Sequence, residues 1–182
     1  MRHPIFVAFL LGILSFGYVA ADQPSVDPNS LLPVTDNLVH FPGAYSYQAP
    51  AGWSVKLRAI GSSTACDLVG EHDCVAMISV GVIYHNSSLR KFAEFCMDME
   101  KKMAINSDIQ MGELEDYSTT SGWVGFKVVE TKTTNGHSSQ TTFYFFSGHN
   151  DDKIEMTTTC HSESLDHYTP IFDEAVKTFT RG

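Results

Sequence analysis

From residue 109 to residue 160 the chain consists of extended segments separated only by tight-turn residues, and this run limits the fold more than any other feature. Ile109 to Tyr117 reads as one strand, and Gly122 to Thr131 alternates around Trp123, Phe126 and Val128. Asn135-Gly136 marks a hairpin turn, because Asn and Gly tolerate the positive φ angles such turns require. Ser139 to Ser147 follows, with four consecutive aromatics at Phe143, Tyr144, Phe145 and Phe146. Alternate members can bury on a helix-covered face while the others either pack as well or form an exposed recognition patch. Gly148-His149-Asn150-Asp151-Asp152 turns the chain again into a last strand, Lys153 to Cys160.

Upstream, Tyr45 to Gln48 and Trp53 to Ala59 form a first hairpin across Pro50-Ala51-Gly52, and Val75 to Ile83 is a more continuously apolar, central strand. Gly61-Ser62-Ser63 reads as a loop. Ser88 to Met103 is a helix, with Leu89, Phe92, Cys96, Met99 and Met103 recurring three and four apart and Ser87 or Ser88 available as a cap. His85 and Asn86 lead into it. A second helix closes the chain, with Pro170 in its first turn and Ile171, Phe172, Ala175, Val176 and Phe179 as its buried stripe. The order reads as α+β, a twisted antiparallel β-sheet flanked by two main helices, and not as a doubly wound parallel fold.

The segment Tyr45-Ser-Tyr47-Gln-Ala-Pro50-Ala-Gly52-Trp53, the Ser88-Leu89 helix after a central strand and the terminal Tyr168-Thr-Pro170-Ile-Phe172-Asp-Glu-Ala-Val176-Lys-Thr-Phe179 together resemble the PsbP-like superfamily. The resemblance spans Val39 to Phe179 and implies an α/β/α sandwich and a non-catalytic docking or accessory role. It carries over no functional residue, and the four cysteines depart from the photosynthetic members.

Met1 to Ala21 reads as a secretory signal peptide: Arg2 and His3 precede an apolar run from Ile5 to Phe16, and Val19-Ala20-Ala21 supplies small residues for cleavage before Asp22. The run is shorter than the ~20 residues of a spanning helix, and no later segment is long and apolar enough to span. Residues 22–37, with Pro24, Pro28 and Pro33, have linker composition, and residues 38–182 form a single globular domain. The expected location is secreted or periplasmic. An even set of four cysteines in an exported chain favours two disulfides, and the spacing favours Cys66 with Cys74, closing a compact loop, and Cys96 with Cys160.

The remaining composition excludes more than it identifies. Hydrophobic residues make up 43% of the 182, so a core can form, and 12 basic against 21 acidic residues give a net charge of −9, which argues against nucleic acid as partner. No GxSxG, HExxH, GxxxxGK[ST] or GxGxxG motif is present, so no catalytic residue and no cofactor is assigned. Paired cysteines would also leave no thiolate nucleophile.

The leading expectation is therefore an accessory protein that binds a protein or small-ligand partner, still unidentified, through surface loops. Glu71, His72 and Asp73 in the cysteine-closed loop are the first candidates, and His149, Asp151 and Asp152 the second. The rival is a small secreted hydrolase or metal-dependent enzyme using His149, His161 or His167 with nearby carboxylates, although no compact ligand set emerges and no metal site is assigned. Asn86-Ser87-Ser88 is a glycosylation sequon if the source is eukaryotic.

Overall fold

The computed structural model describes residues 38–41, 45–60, 63–69, 76–104, 106–149 and 151–181. The expected signal peptide and linker, and the residues Glu71, His72, Asp73 and Cys74 with the expected Cys66–Cys74 pairing, lie outside them. The long strands follow from composition. Residues 124–161 are rich in Val, Thr, Phe and Tyr, which suit a pleated surface packed on both sides. They form β8 (Val124–Thr134), β9 (His137–Ser147) and β10 (Asp152–His161), successive antiparallel neighbours. Asn135 and Gly136 both have positive φ, 52° and 81°, so the two-residue turn between β8 and β9 forms where the dipeptide places it.

β10 also pairs with β5 (Ala76–Tyr84), which pairs with β4 (Ser63–Val69), and β4 pairs with β3 (Ser54–Ile60). At the other end β8 pairs with β6 (Asp108–Met111) and β7 (Glu115–Ser118). The expected single strand from 109 to 117 is thus two. Gly112 leaves the ladder, its N–H donating to the Val129 carbonyl at 2.8 Å, and β7 resumes on the same neighbour three residues later.

A smaller sheet holds β1 (Leu38–Phe41), β2 (Tyr45–Gln48) and β11 (Thr180–Arg181) in the order β1-β2-β11. The expected hairpin between 45–48 and 53–59 does not form. Gly52, with φ 81°, turns the chain at the right place, but β2 is taken by β1 and β11 and β3 by β4. β4 was not expected either. It begins at Ser63, and it draws Cys66, Asp67, Leu68 and Val69 out of the supposed cysteine-closed loop into a strand, where Cys66 is registered with Leu57 and Val80.

Helix α1 (Leu89–Met103) starts at Ser88, whose hydroxyl accepts from the Lys91 N–H at 3.4 Å, and ends with Lys101 and Lys102 against the negative end of its dipole. Its buried stripe is Phe92, Ala93, Cys96 and Glu100, so Glu100 is inward where Met99 and Met103 were expected. Helix α2 (Leu165–Lys177) buries Tyr168, Phe172, Ala175 and Val176. Pro170 sits inside α2 and not in its first turn, because a short 3-10 turn, Ser162–Ser164, leads directly into a helix that begins five residues earlier. The proline deprives the Asp166 carbonyl of its helical donor. Both residues are exposed, so that carbonyl faces the solvent side of the helix rather than the core.

The helices seal opposite faces of the large sheet. On β9, Phe143 and Phe145 point to the core with Phe92 of α1, while Tyr144 and Phe146 point to the core with Phe172 and Val176 of α2. All four aromatics are therefore buried, and the run forms no exposed patch. Phe179 stacks on Phe146 at 5.4 Å and on Tyr45 at 6.0 Å, with Trp123 edge-on at 5.1 Å, and this cluster joins the small sheet to the large one. The turn between β7 and β8 completes the join: Thr120 donates to the Lys177 carbonyl at 2.6 Å and Ser121 to that of Phe179, satisfying acceptors at the end of α2.

The two-faced arrangement overturns one disulfide. Cys96 lies in the α1 core and Cys160 in the α2 core, so the sheet stands between two buried, free thiols. Alkylation in denaturant without reductant is expected to label both residues, and a mass-detected Cys96–Cys160 peptide would contradict the arrangement. Packing makes a second expectation. A Cβ on Gly125 would collide with the Phe145 carbonyl, whereas one on Gly81 would meet nothing closer than 4.0 Å. Gly125→Ala should cost about 2 kcal/mol or more in urea unfolding and Gly81→Ala less than about 0.5 kcal/mol.

Candidate functional site

The loop candidates divide by what is described. The turn between β9 and β10 is fixed by its backbone: the His149 N–H donates to the Tyr45 hydroxyl at 3.0 Å, the Asp152 N–H to the His149 carbonyl at 3.0 Å, and the Gly148 N–H to the Asp152 carbonyl at 2.7 Å. Asp151 takes a left-handed φ of 67°, and its carbonyl accepts from the Lys153 ammonium at 2.8 Å. The side chains of His149 and Asp151 are left exposed. Burial raises the proton affinity of Asp152, against the opposing pull of His149 and Lys153. Beside this turn lies a shallow concavity lined by Gly122, Trp123, Val124, Ser147, Gly148 and Arg181, with Val124 73% exposed.

The histidines of the enzymatic alternative are not brought together. His149 precedes β10 and His161 ends it, so a ten-residue strand separates them, and His167 stands on α2 with its ring against Tyr168. Among the described residues no three His, Cys, Asp or Glu side chains converge as metal ligands do. A small cleft on the α2 face, lined by Gln140, Thr142, Tyr144, Thr158, Cys160 and Asp173, offers polar groups. The Tyr144 hydroxyl is engaged with Thr158, and burial pushes both it and the Cys160 thiol up, so neither is a nucleophile at neutral pH.

The most perturbed chemistry lies where no loop reaches. Beneath α1 the side chains of Cys96, Glu100, Glu130 and Glu155 form one buried cluster. Glu155 comes from the middle of β10 and Glu130 from β8, and Thr141 on β9 is registered with Glu130. The Cys96 thiol donates to Glu155, while Oε2 of Glu155 and Oε2 of Glu130 have no partner among the described residues. Burial, then repulsion by Glu100, raises Glu130 to about 7 against the relief from Lys132. Burial also raises Glu155 to about 7, with the Cys96 bond lowering it and Glu100 raising it. Glu100 is raised by burial and lowered by Lys132, and Cys96 is driven far above the ordinary thiol range by burial and by Glu155.

Sequence reasoning missed this cluster. The sequence reads this segment only as the last strand; by alternation Lys153, Glu155, Thr157 and Thr159 share one face of it, and only the covering helix makes that face interior. The one available signal was Glu100, eight residues after Phe92 and so on the same side of α1.

A carboxyl whose affinity is higher folded than unfolded stabilises the folded state below its unfolded value and loses that contribution as pH rises through the folded value. With ordinary values of 4.5 and folded values of about 7, stability should fall between those limits by roughly 3 kcal/mol or more and level off above them. Urea unfolding across that range checks the slope, and Glu130→Gln with Glu155→Gln should flatten it.

No protein-family model and no curated protein matches the sequence. Solved structures do. The cyanobacterial PsbP (CyanoP) of Synechocystis sp. PCC 6803 superposes with a TM-score of 0.58 at 11% identity, over 81% of this chain and 94% of that one. PA94 of Pseudomonas aeruginosa, a protein of unknown function, gives 0.54 at 13% identity, over 80% and 96%. The chain therefore shares the fold of cyanobacterial PsbP.

Proposed function

We propose that the protein is an exported accessory protein that binds a protein or small-ligand partner through surface loops and performs no covalent chemistry on it. One observation carries this reading. The groups whose proton affinity is most disturbed, Cys96, Glu130 and Glu155, are sealed under α1, while the surface concavity is lined by Gly122, Trp123, Val124, Ser147, Gly148 and Arg181. General acid–base work needs a titratable group within reach of a bound substrate. The likeness of fold to CyanoP supports an accessory role, and the leader-like residues 1–21 support an extracytoplasmic location, secreted or periplasmic.

Two loops are the proposed contacts: Glu71, His72 and Asp73 between β4 and β5, and His149, Asp151 and Asp152 between β9 and β10. The second is pre-organised by Tyr45, which lowers the ordering cost of an encounter. Asn86, exposed just before α1, is a proposed glycan acceptor in a eukaryotic secretory pathway.

The test is retention of a native partner by the full chain and by two variants, Glu71→Ala/His72→Ala/Asp73→Ala and His149→Ala/Asp151→Asn, each with unchanged thermal unfolding. Loss of the partner in at least one variant is expected, together with an N-terminus at Asp22 in the extracytoplasmic fraction. Equal retention by both variants removes the loops from the proposal, and turnover of an ester, peptide, glycoside or phosphate substrate by the purified protein overturns it.

A further inference from the structure

We infer that the Cys96–Glu100–Glu130–Glu155 cluster is a proton-operated latch that holds the C-terminal half of α1 on the sheet when its carboxyls are protonated and lets that half lift when they ionise. The two halves of α1 are held by different means. Its first two turns are seated on aromatic rings: Phe92 meets Phe145 edge-on at 6.0 Å, and the Arg90 guanidinium lies 4.6 Å from the centre of the Phe126 ring as a cation–π contact. From Cys96 onward the buried residues of the helix are a thiol and a carboxyl, with Met97 packed partly buried beside them, and the sheet beneath presents two more carboxyls.

The charge surrounding the cluster does not neutralise it. α1 contributes Glu100 and Cys96, β8 contributes Glu130 and Lys132, and β10 contributes Glu155 and Lys153, with His161 on the same face at its end. Lys153 is committed to the Asp151 carbonyl. β9 faces the cluster with Thr141, Phe143 and Phe145, β5 with Ser79 and Gly81, and β6 with Ile109 and Met111, all neutral. Among the described residues Lys132 relieves Glu100 and Glu130, and Glu155 is relieved only by its bond to Cys96. Glu130 is 3% and Glu155 5% exposed, and each has an oxygen without a partner among the described residues, so ionisation in place leaves buried negative charge poorly solvated. A cluster held together by protons has a cheaper way out: the overlying half-helix moves, water enters, and the protons leave to solvent. Both raised carboxyls titrate near pH 7, which places the change between a mildly acidic and a mildly alkaline medium.

Amide hydrogen exchange of the full chain, compared at about pH 5.5 and about pH 8 after correction for intrinsic exchange, reads this directly. Residues 97–103 of α1 should lose protection by about tenfold relative to α2, which covers the opposite face and serves as internal reference. In the variant Glu130→Gln/Glu155→Gln, isosteric with the protonated state, that relative loss should disappear. Parallel changes in α1 and α2, or an undiminished loss in the variant, would overturn the latch. If the double variant does not fold, Glu130→Gln alone should shrink the loss, and an unchanged loss in it would overturn the proposal equally.

Discussion

The fold depends on β10 being covered on both faces. A strand whose side chains alternate must send every second residue to each side, and here one side is Ile154, Met156, Thr158 and Cys160 while the other is Lys153, Glu155, Thr157 and Thr159. In an antiparallel sheet with one wet face the second set would stand in water. Because α1 lies over it, the polar set becomes interior, and the two cores differ in kind. The α2 core is an interlocked group of large rings, Tyr45, Phe146, Phe172 and Phe179, together with aliphatics. The α1 core is aromatic only at one end and polar at the other.

That asymmetry separates stability from responsiveness. Burying large apolar surface is insensitive to pH and holds α2, the small sheet and the β7–β8 turn as one unit, tied by Thr120 and Ser121 to the end of α2. Burying a carboxyl is favourable only with its proton, so the opposite face carries a stabilisation that depends on the medium. The same chain thus combines a fixed body with a helix whose seating is conditional, and the surface turn at His149 belongs to the fixed body through Tyr45.

Much of the fold was legible because it is written in short-range signals. Asn135-Gly136 specifies its turn through backbone φ alone, and Ser88 with the Phe92–Cys96 spacing specifies the position of α1. The errors come from long-range covering. β4 carries Ser, Thr, Ala, Cys and Asp and lacks a strong local preference, so its pairing between β3 and β5 decides it. Tyr45 and Tyr47 alternate like any hairpin strand, but β2 pairs with the preceding β1 on one side, and on the other Tyr45 and Ser46 meet Arg181 and Thr180 of β11, more than a hundred positions away. Cys96 and Cys160 fit a bridge by count and are separated by a sheet. The acidic cluster was hidden for the same reason, since nothing local to Glu155 says that a helix lies above it. The turn holding His149, Asp151 and Asp152 was legible because turn residues act through local backbone geometry, as the left-handed φ of Asp151 shows.

The small sheet has a topological consequence. β1 and β11 flank the same strand, β2, so the first and last strands run parallel on either side of it and the start of one lies within roughly 15 Å of the end of the other. A connector of about five residues would join them, and the chain could then be reopened at Asn135-Gly136, an exposed turn that holds only its own hairpin. Such a circular permutation of residues 38–181 would keep every strand pairing and break only the covalent link between β8 and β9, opening the chain at the far end of that hairpin, away from the ring cluster of Tyr45, Trp123, Phe146 and Phe179.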